Sequence, residues 1–267
     1  MIMNNTTKLF RVSKDGVTGD FYFASSSESP SVVFLQGMPG STKKNDAGDF
    51  LASQGHSLLN LEYPGTFNNG GDLTPENCVQ GAVSAVQLLQ SGKVADAFSG
   101  VEFSVSPEVV LAGTSFGGVV ALSAMAQLKG VTKLLLFSPV FLFSKNAGES
   151  GLTEDMTGLL TYMKRCLPYT HRLADEEGWR SLFEGVHPYF QALKWLECLN
   201  GKKILVVRGA KDTSILEAAS THFQKLVKTK NVSCDINVLT VEAGGHDYRT
   251  LLTSDMKARV LAFLSGE

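Results

Sequence analysis

The chain has no Cys-x-x-Cys pair, no long apolar run and no basic excess, and each absence removes a class of function. Its four cysteines (Cys78, Cys166, Cys198 and Cys234) are widely scattered, which argues against a zinc site or a redox pair. The most apolar passage, VTKLLLFSPVFLF, is broken by Pro139. It falls short of the roughly 18 to 20 residues that cross a bilayer. A net charge of −2 and a pI near 6.2 leave no basic face for nucleic acid or an anionic membrane. The short basic cluster KLVKTK, Lys225 to Lys230, reads as a solvated helix end. The first residues, MIMNNTTKLFRVSKDG, lack the basic start and apolar core of a secretion signal. The expectation is a cytoplasmic protein with free thiols and no cofactor; association into a homodimer is left open.

The chain does have an apolar content of 43% over 267 residues, enough for one large domain with a substantial core. Its opening reads as β structure, with KLFRV and GDFYFA separated by the turn signal Asp15-Gly16. Apolar strand signals then alternate with helical ones. VVFLQ, SLLNLEY, PEVVLAG, TKLLLFSP, KKILVVRG and SCDINVLTVE read as strands. DAGDFLASQG, TPENCVQGAVSAVQLLQSG, FGGVVALSAMAQLKG, ILEAASTHFQKLVK and YRTLLTSDMKARVLAFLSG read as helices. Thr74, Pro75 and Gly92 supply cap, first position and stop for the second helix. This alternation predicts an α/β fold, a mostly parallel central sheet with helices on both faces. Residues 141–200 break it, reading only as helices (TEDMTGLLTYMKRC, DEEGWRSLFEG, YFQALKWLECL). The expected organisation is a core of 1–140 and 201–267 carrying a helical cap insertion, 141–200.

Open parallel sheets build sites beyond the carboxyl ends of their strands. Past VVFL comes Gln36-Gly37-Met38-Pro39-Gly40, and past VVLAG comes Ser115. Past ILVVRG comes Asp212, and past INVLTVE comes His246. A serine needs a base to become a nucleophile, and the base needs an anion to orient it. Gly113, Gly117 and Gly118 surround Ser115 with the bare backbone that a strained strand-to-helix turn demands. The following helix aims its N–H groups at developing negative charge.

On these motifs the chain resembles the α/β-hydrolase superfamily over nearly its full length. Gly113-Thr114-Ser115-Phe116-Gly117 looks like the nucleophile elbow, and the order Ser115, Asp212, His246 is the order this fold uses. Gln36-Gly37-Met38-Pro39-Gly40 resembles the HGxPG oxyanion loop, with glutamine where histidine is more usual. The resemblance implies that the N–H groups of Met38 and Phe116 form the oxyanion hole. RLADEEGWRSLFEGVHPYF is similar to the cap-to-core passage of serine peptidase and esterase-like members.

Competing assignments remain. Glu62 and Asp247 are alternative acids. His222 reads as a helix residue, His56 as a turn residue, and His171 and His187 as polar cap surface, with substrate contact as the alternative. Tyr63 either lines a pocket or packs. Phe141, Phe143, Met156, Tyr162, Met163, Trp179 and Phe183 read either as an apolar lid or as the cap's own core. The expected function is a serine hydrolase opening an ester, thioester or amide of a small acyl substrate. The alternatives are an acyltransferase, a non-hydrolytic lyase or cyclase using the same residues, and a catalytically silent ligand-binding member.

Overall fold

Eight strands form one sheet in the order β1-β2-β4-β3-β7-β8-β9-β10. The strands are β1 (Lys8–Lys14), β2 (Val17–Phe23), β3 (Ser31–Leu35), β4 (Leu58–Glu62), β7 (Val109–Thr114), β8 (Lys133–Phe137), β9 (Lys203–Gly209) and β10 (Asp235–Val241). β2 runs antiparallel to β1 and β4, and every other pairing is parallel. The structure is a computed structural model, and it describes residues 8–25, 28–144 and 156–267.

The interior strands are buried on both faces because helices cover both. Successive side chains alternate: Val33, Leu35, Val109 and Leu111 enter one core, while Val32, Phe34, Val110 and Ala112 enter the other. The first core is closed by α2 (Pro75–Gln90), α3 (Phe116–Ala124) and α7 (Glu217–Thr229), through residues such as Val86, Val120 and Phe223. The second is closed by α1 (Asp46–Ser53) and α9 (Ser254–Ser265), through Leu51, Val260 and Leu264. Local chemistry starts these helices where expected. Thr74 Oγ1 accepts the Asn77 N–H at 3.0 Å ahead of Pro75, and the Asn45 carboxamide accepts from Ala47 and Gly48.

Between β8 and β9, the described residues contain α4 (Met156–Thr170), α5 (Glu176–Phe183), α6 (Ala192–Trp195) and a 3₁₀ turn, Glu197–Leu199. None of them is a strand of the sheet; two isolated bridges, His171 with Thr66 and Leu173 with Leu73, tie this stretch to the loop after β4. Part of the expected insertion, 145–155, lies outside the described residues, as does the Met156 side chain.

Four details depart from the sequence reading. The last helix is two, α8 (Tyr248–Leu251) and α9, because Thr253 turns its hydroxyl onto the Met256 N–H and starts a new helix. α3 ends at Ala124, where tighter bonds such as Gln127 N–H to the Ala124 carbonyl replace the helical pattern. YFQALKWLECL yields one turn of helix and the 3₁₀ turn. A small hairpin, β5 (Lys93–Ala95) with β6 (Glu102–Ser104), has strands too short for a periodic signal.

Candidate active site

The path of the chain reverses at β3: β4 lies on one side of it and β7 on the other. The crevice at that reversal is where open α/β sheets hold ligands, and the loops after β3 and β7 meet there. Ser115, between β7 and α3, has φ 52° and ψ −120°, a backbone that L residues rarely adopt. Backbone hydrogen bonds on both sides of the residue hold it there. The Ser115 N–H donates to the Phe137 carbonyl at 3.1 Å, and its own carbonyl accepts from Gly118 and Val140 at 2.9 Å.

The glycines are explained by what a side chain would strike. A Cβ on Gly113 would lie 2.4 Å from the Gly117 carbonyl oxygen, and one on Gly117 2.2 Å from that of Leu35. On Gly118 it would meet Pro139 at 2.4 Å. The motif is therefore a close-packing requirement as much as a turn.

The loops after β9 and β10 bring the remaining groups. A Cβ on Gly209 would lie 2.3 Å from the Gly244 carbonyl oxygen, so only bare backbone lets the two loops abut. His246 Nε2 lies 3.0 Å from Ser115 Oγ, and Nδ1 lies 2.9 Å from Asp212 Oδ2. The carboxylate can only accept, so Nδ1 carries the hydrogen and Nε2 is left to accept the serine hydroxyl. Asp212 Oδ1 accepts the N–H groups of Ser214 and Ile215, both at 2.9 Å. Burial pushes the Asp212 carboxyl up, but the bonds from His246 and Ile215 outweigh it, so its pKa lies below the usual value.

Neither alternative acid is placed to compete. The Glu62 carboxylate is bound by Arg11 at 2.5 Å and by the Asn68 N–H at 3.2 Å. Asp247 accepts from the Arg249 backbone and guanidinium.

The loop after β3 stands against the elbow, with a Cβ on Gly37 only 3.1 Å from Ser115 Cβ. Gln36 Oε1 accepts the Ser41 N–H at 2.7 Å, spanning the loop. Tyr63 is buried and donates its hydroxyl to the Gln36 carbonyl at 3.0 Å. Phe116 is the first residue of α3, a position whose N–H has no partner within the helix. Met38 lines the space beside Ser115.

That space is a cavity of about 420 Å³. Beside Ser115 it is lined by Met38 and Pro39, by His246 to Arg249, by the buried Phe34, Asn45 and Asn60, and by Lys43 and Lys44. Among the described residues, none of 141–200 lines it, so of the two readings of the aromatic residues there, lid or cap core, those described do not form a lid on this cavity. Phe143 and Trp179 instead pack on Phe116 at 6.4 and 6.0 Å between ring centres, while Tyr162 is exposed. His171 and His187, read as polar surface, are buried, being 4% and 7% exposed. Among the described residues, no three His, Cys, Asp or Glu side chains converge as metal ligands. No described helix is long and apolar enough to cross a membrane.

Compared by sequence, the chain matches no family model and no curated protein. Compared by structure, it is similar to Est1E from Butyrivibrio proteoclasticus at 15% identity and TM-score 0.65, covering 98% of this chain and 100% of that one. It is similar to an esterase of Pyrococcus furiosus at 16% identity and TM-score 0.65, covering 97% and 90%. A third similar structure is the α/β hydrolase GrgF from a Penicillium species, at 17% identity and TM-score 0.60, covering 97% of each chain. The fold is that of the α/β hydrolases. Within this α/β-hydrolase fold, Ser115, Asp212 and His246 all follow strand ends and meet in one hydrogen-bonded line. His171 is the residue near the site that sequence reasoning undervalued, since its contact to Pro39 spans 132 positions and leaves no local signal.

Proposed function

We propose that the protein is a serine hydrolase that opens an ester, thioester or amide of a compact acyl substrate through an acyl-enzyme. The observation that carries this reading is the continuous line from Ser115 Oγ through the His246 ring to Asp212 Oδ2, with contacts of 3.0 and 2.9 Å. In this reading Ser115 Oγ attacks the acyl carbon as His246 Nε2 takes its proton, and Asp212 stays anionic to stabilise the imidazolium. The tetrahedral oxyanion is received by the N–H groups of Met38 and Phe116. His246 then protonates the leaving group, and a water activated by the same ring releases the acyl group. The cavity of about 420 Å³ suits a small acyl chain. A silent ligand-binding role is disfavoured by the same line, because binding alone needs no oriented base on a serine.

The test is hydrolysis of p-nitrophenyl esters of increasing chain length together with labelling by a fluorophosphonate. Ser115→Ala should abolish both while the protein stays folded. Asp212→Asn should lower turnover on the order of 10⁴-fold, because the imidazolium loses its anion and its tautomer. Glu62→Gln should be far milder. Labelling that survives in Ser115→Ala would place the nucleophile elsewhere.

A further inference from the structure

The loop Gln36–Gly40 has little of its own to keep it in place. Two of its five residues are glycine, Gly40 has φ +88°, and Gln36 through Gly40 all border the open cavity. Beyond the bond from the Ser41 N–H to the Gln36 side chain, its stability must come from neighbours, and one neighbour arrives from the helical segment.

Residues 170–174 leave α4 and run beside the loop that follows β4. The Phe67 N–H donates to the Thr170 carbonyl and the Arg172 N–H to the Gly65 carbonyl, both at 2.7 Å. The Leu73 N–H donates to the Arg172 carbonyl at 2.8 Å, and the Ala174 N–H to the Leu73 carbonyl at 3.1 Å. The Arg172 guanidinium adds bonds to the carbonyls of Gly71 and Asn69. This ladder delivers one side chain to Pro39. His171 Nε2 lies 2.6 Å from the Pro39 carbonyl oxygen, and Nδ1 lies 2.6 Å from Thr170 Oγ1. The carbonyl only accepts, so Nε2 carries the hydrogen and Nδ1 receives the threonine hydroxyl. Phe67 meets the ring edge-on at 5.4 Å, and the imidazole is buried.

We propose that His171 is a positioning residue for the oxyanion site, holding the Gln36–Gly40 loop, and with it the Met38 N–H, against Ser115 through its bond to Pro39. The proposal rests on the hydrolase reading above. It gives the helical segment a part in turnover although none of its described residues lines the cavity. An oxyanion donor works only when held where charge develops. Releasing Pro39 lets the donor drift without removing any group that binds substrate, so the effect belongs in the rate and not in the affinity.

The experiment is the kinetics of fluorophosphonate labelling, resolved into kinact and KI, beside thermal melting. In labelling, Ser115 Oγ forms the bond to phosphorus, fluoride leaves with the electrons of the P–F bond, and His246 takes the hydroxyl proton. The variants are His171→Leu, which has no donor; His171→Asn, which stays polar but is too short to reach Pro39; and His171→Gln, which reaches it. Leu and Asn should lower kinact by tenfold or more, part of the roughly 10²- to 10³-fold attached to losing an oxyanion donor. KI should stay within about threefold, and Gln should recover most of the rate, as expected of a restored donor. Arg172→Ala, which removes the guanidinium bonds to Gly71 and Asn69 but keeps the backbone ladder and the bond to Pro39, should label like the wild type. An unchanged kinact in folded His171→Asn overturns the proposal, and so does failure of Gln to recover or an equal loss in Arg172→Ala. A wild type that does not label at all defeats the hydrolase reading itself.

Discussion

The elbow at Ser115 and the loop at Gln36–Gly40 stand face to face, yet they are held by opposite means. The elbow is fixed by backbone against backbone: glycines bring Leu35, Gly117 and Gly113 together where no side chain fits, and the strained serine is bonded on three sides by main-chain groups. The loop is fixed by side chains from three places: Gln36 itself, Tyr63 after β4, and His171 from the helical segment. The difference teaches where each half can fail. The elbow tolerates no added atom, whereas the loop tolerates substitution and weakens with each lost hydrogen bond.

Gly117→Ala tests the first half and should have the largest effect. Its Cβ would sit 2.2 Å from the Leu35 carbonyl oxygen and 2.8 Å from that of Gln36, both backbone atoms that cannot swing aside. Overpacking of this kind costs about 3 kcal/mol, a fall in melting temperature on the order of 10 °C for a chain of this size. Ser115 labelling should be lost with it. Gly70→Ala, where nothing lies within 4 Å of the added atom, should melt within about 2 °C of the wild type. Equal melting of the two variants would show that contact at the elbow is not what fixes it.

Tyr63→Phe tests the second half and should be milder. It removes the hydroxyl that donates to the Gln36 carbonyl at 3.0 Å while leaving the ring, which packs edge-on against Phe116 at 6.0 Å. A buried carbonyl deprived of its donor costs about 1 to 3 kcal/mol. Turnover of a p-nitrophenyl ester should drop with KM nearly unchanged, since the phenol is not among the groups lining the cavity. A rise in KM at constant kcat would instead make Tyr63 part of the binding surface.

The same contrast explains what could be seen in the sequence. The elbow was legible because its cause is local: a buried strand, a serine and glycines at fixed offsets within ten residues. Asp212 and His246 could be matched to Ser115 because strand ends share one edge of a parallel sheet, a topological regularity that needs no contact information. The supports of the loop were not legible in this way. Tyr63 lies 27 residues from its partner and His171 lies 132 from its own, and neither separation leaves a periodic trace. The aromatic residues of 141–200 fitted both lid and core equally well, because composition does not say which way a helix faces. In the structure, Phe143 and Trp179 pack on Phe116 and Phe183 packs on both, Phe141 stacks on Phe223, and Tyr162 is exposed.

The two halves also differ in what acid can reach. The elbow's main-chain bonds carry no titratable group, whereas the loop's outermost support is an imidazole. His56, His171 and His187 are all buried, and burial lowers the pKa of each. The bonds to Pro30 and Pro39 oppose that shift for His56 and His171, and Asp175 and Glu76 oppose it for His187. Lys133 near His56 and Arg172 near His171 add to the lowering, while Glu108 works against it at His56. In the unfolded chain these rings bind protons with pKa about 6.5. The native state therefore binds fewer protons than the unfolded state below that value, and stability must fall as pH falls. The contribution is complete above about pH 6.5 and is lost progressively on going below it, by at most about 1.4 kcal/mol per pH unit for each ring. The urea midpoint, measured between pH 7.5 and 5.5, should decline toward acid. His171→Gln keeps the donor to Pro39 but removes the titration, so it should make that decline shallower while leaving the midpoint at pH 7.5 nearly unchanged. A slope identical to the wild type's would mean that the His171 ring takes up its proton equally in the folded and unfolded chain, and that acid does not act on the loop through this ring.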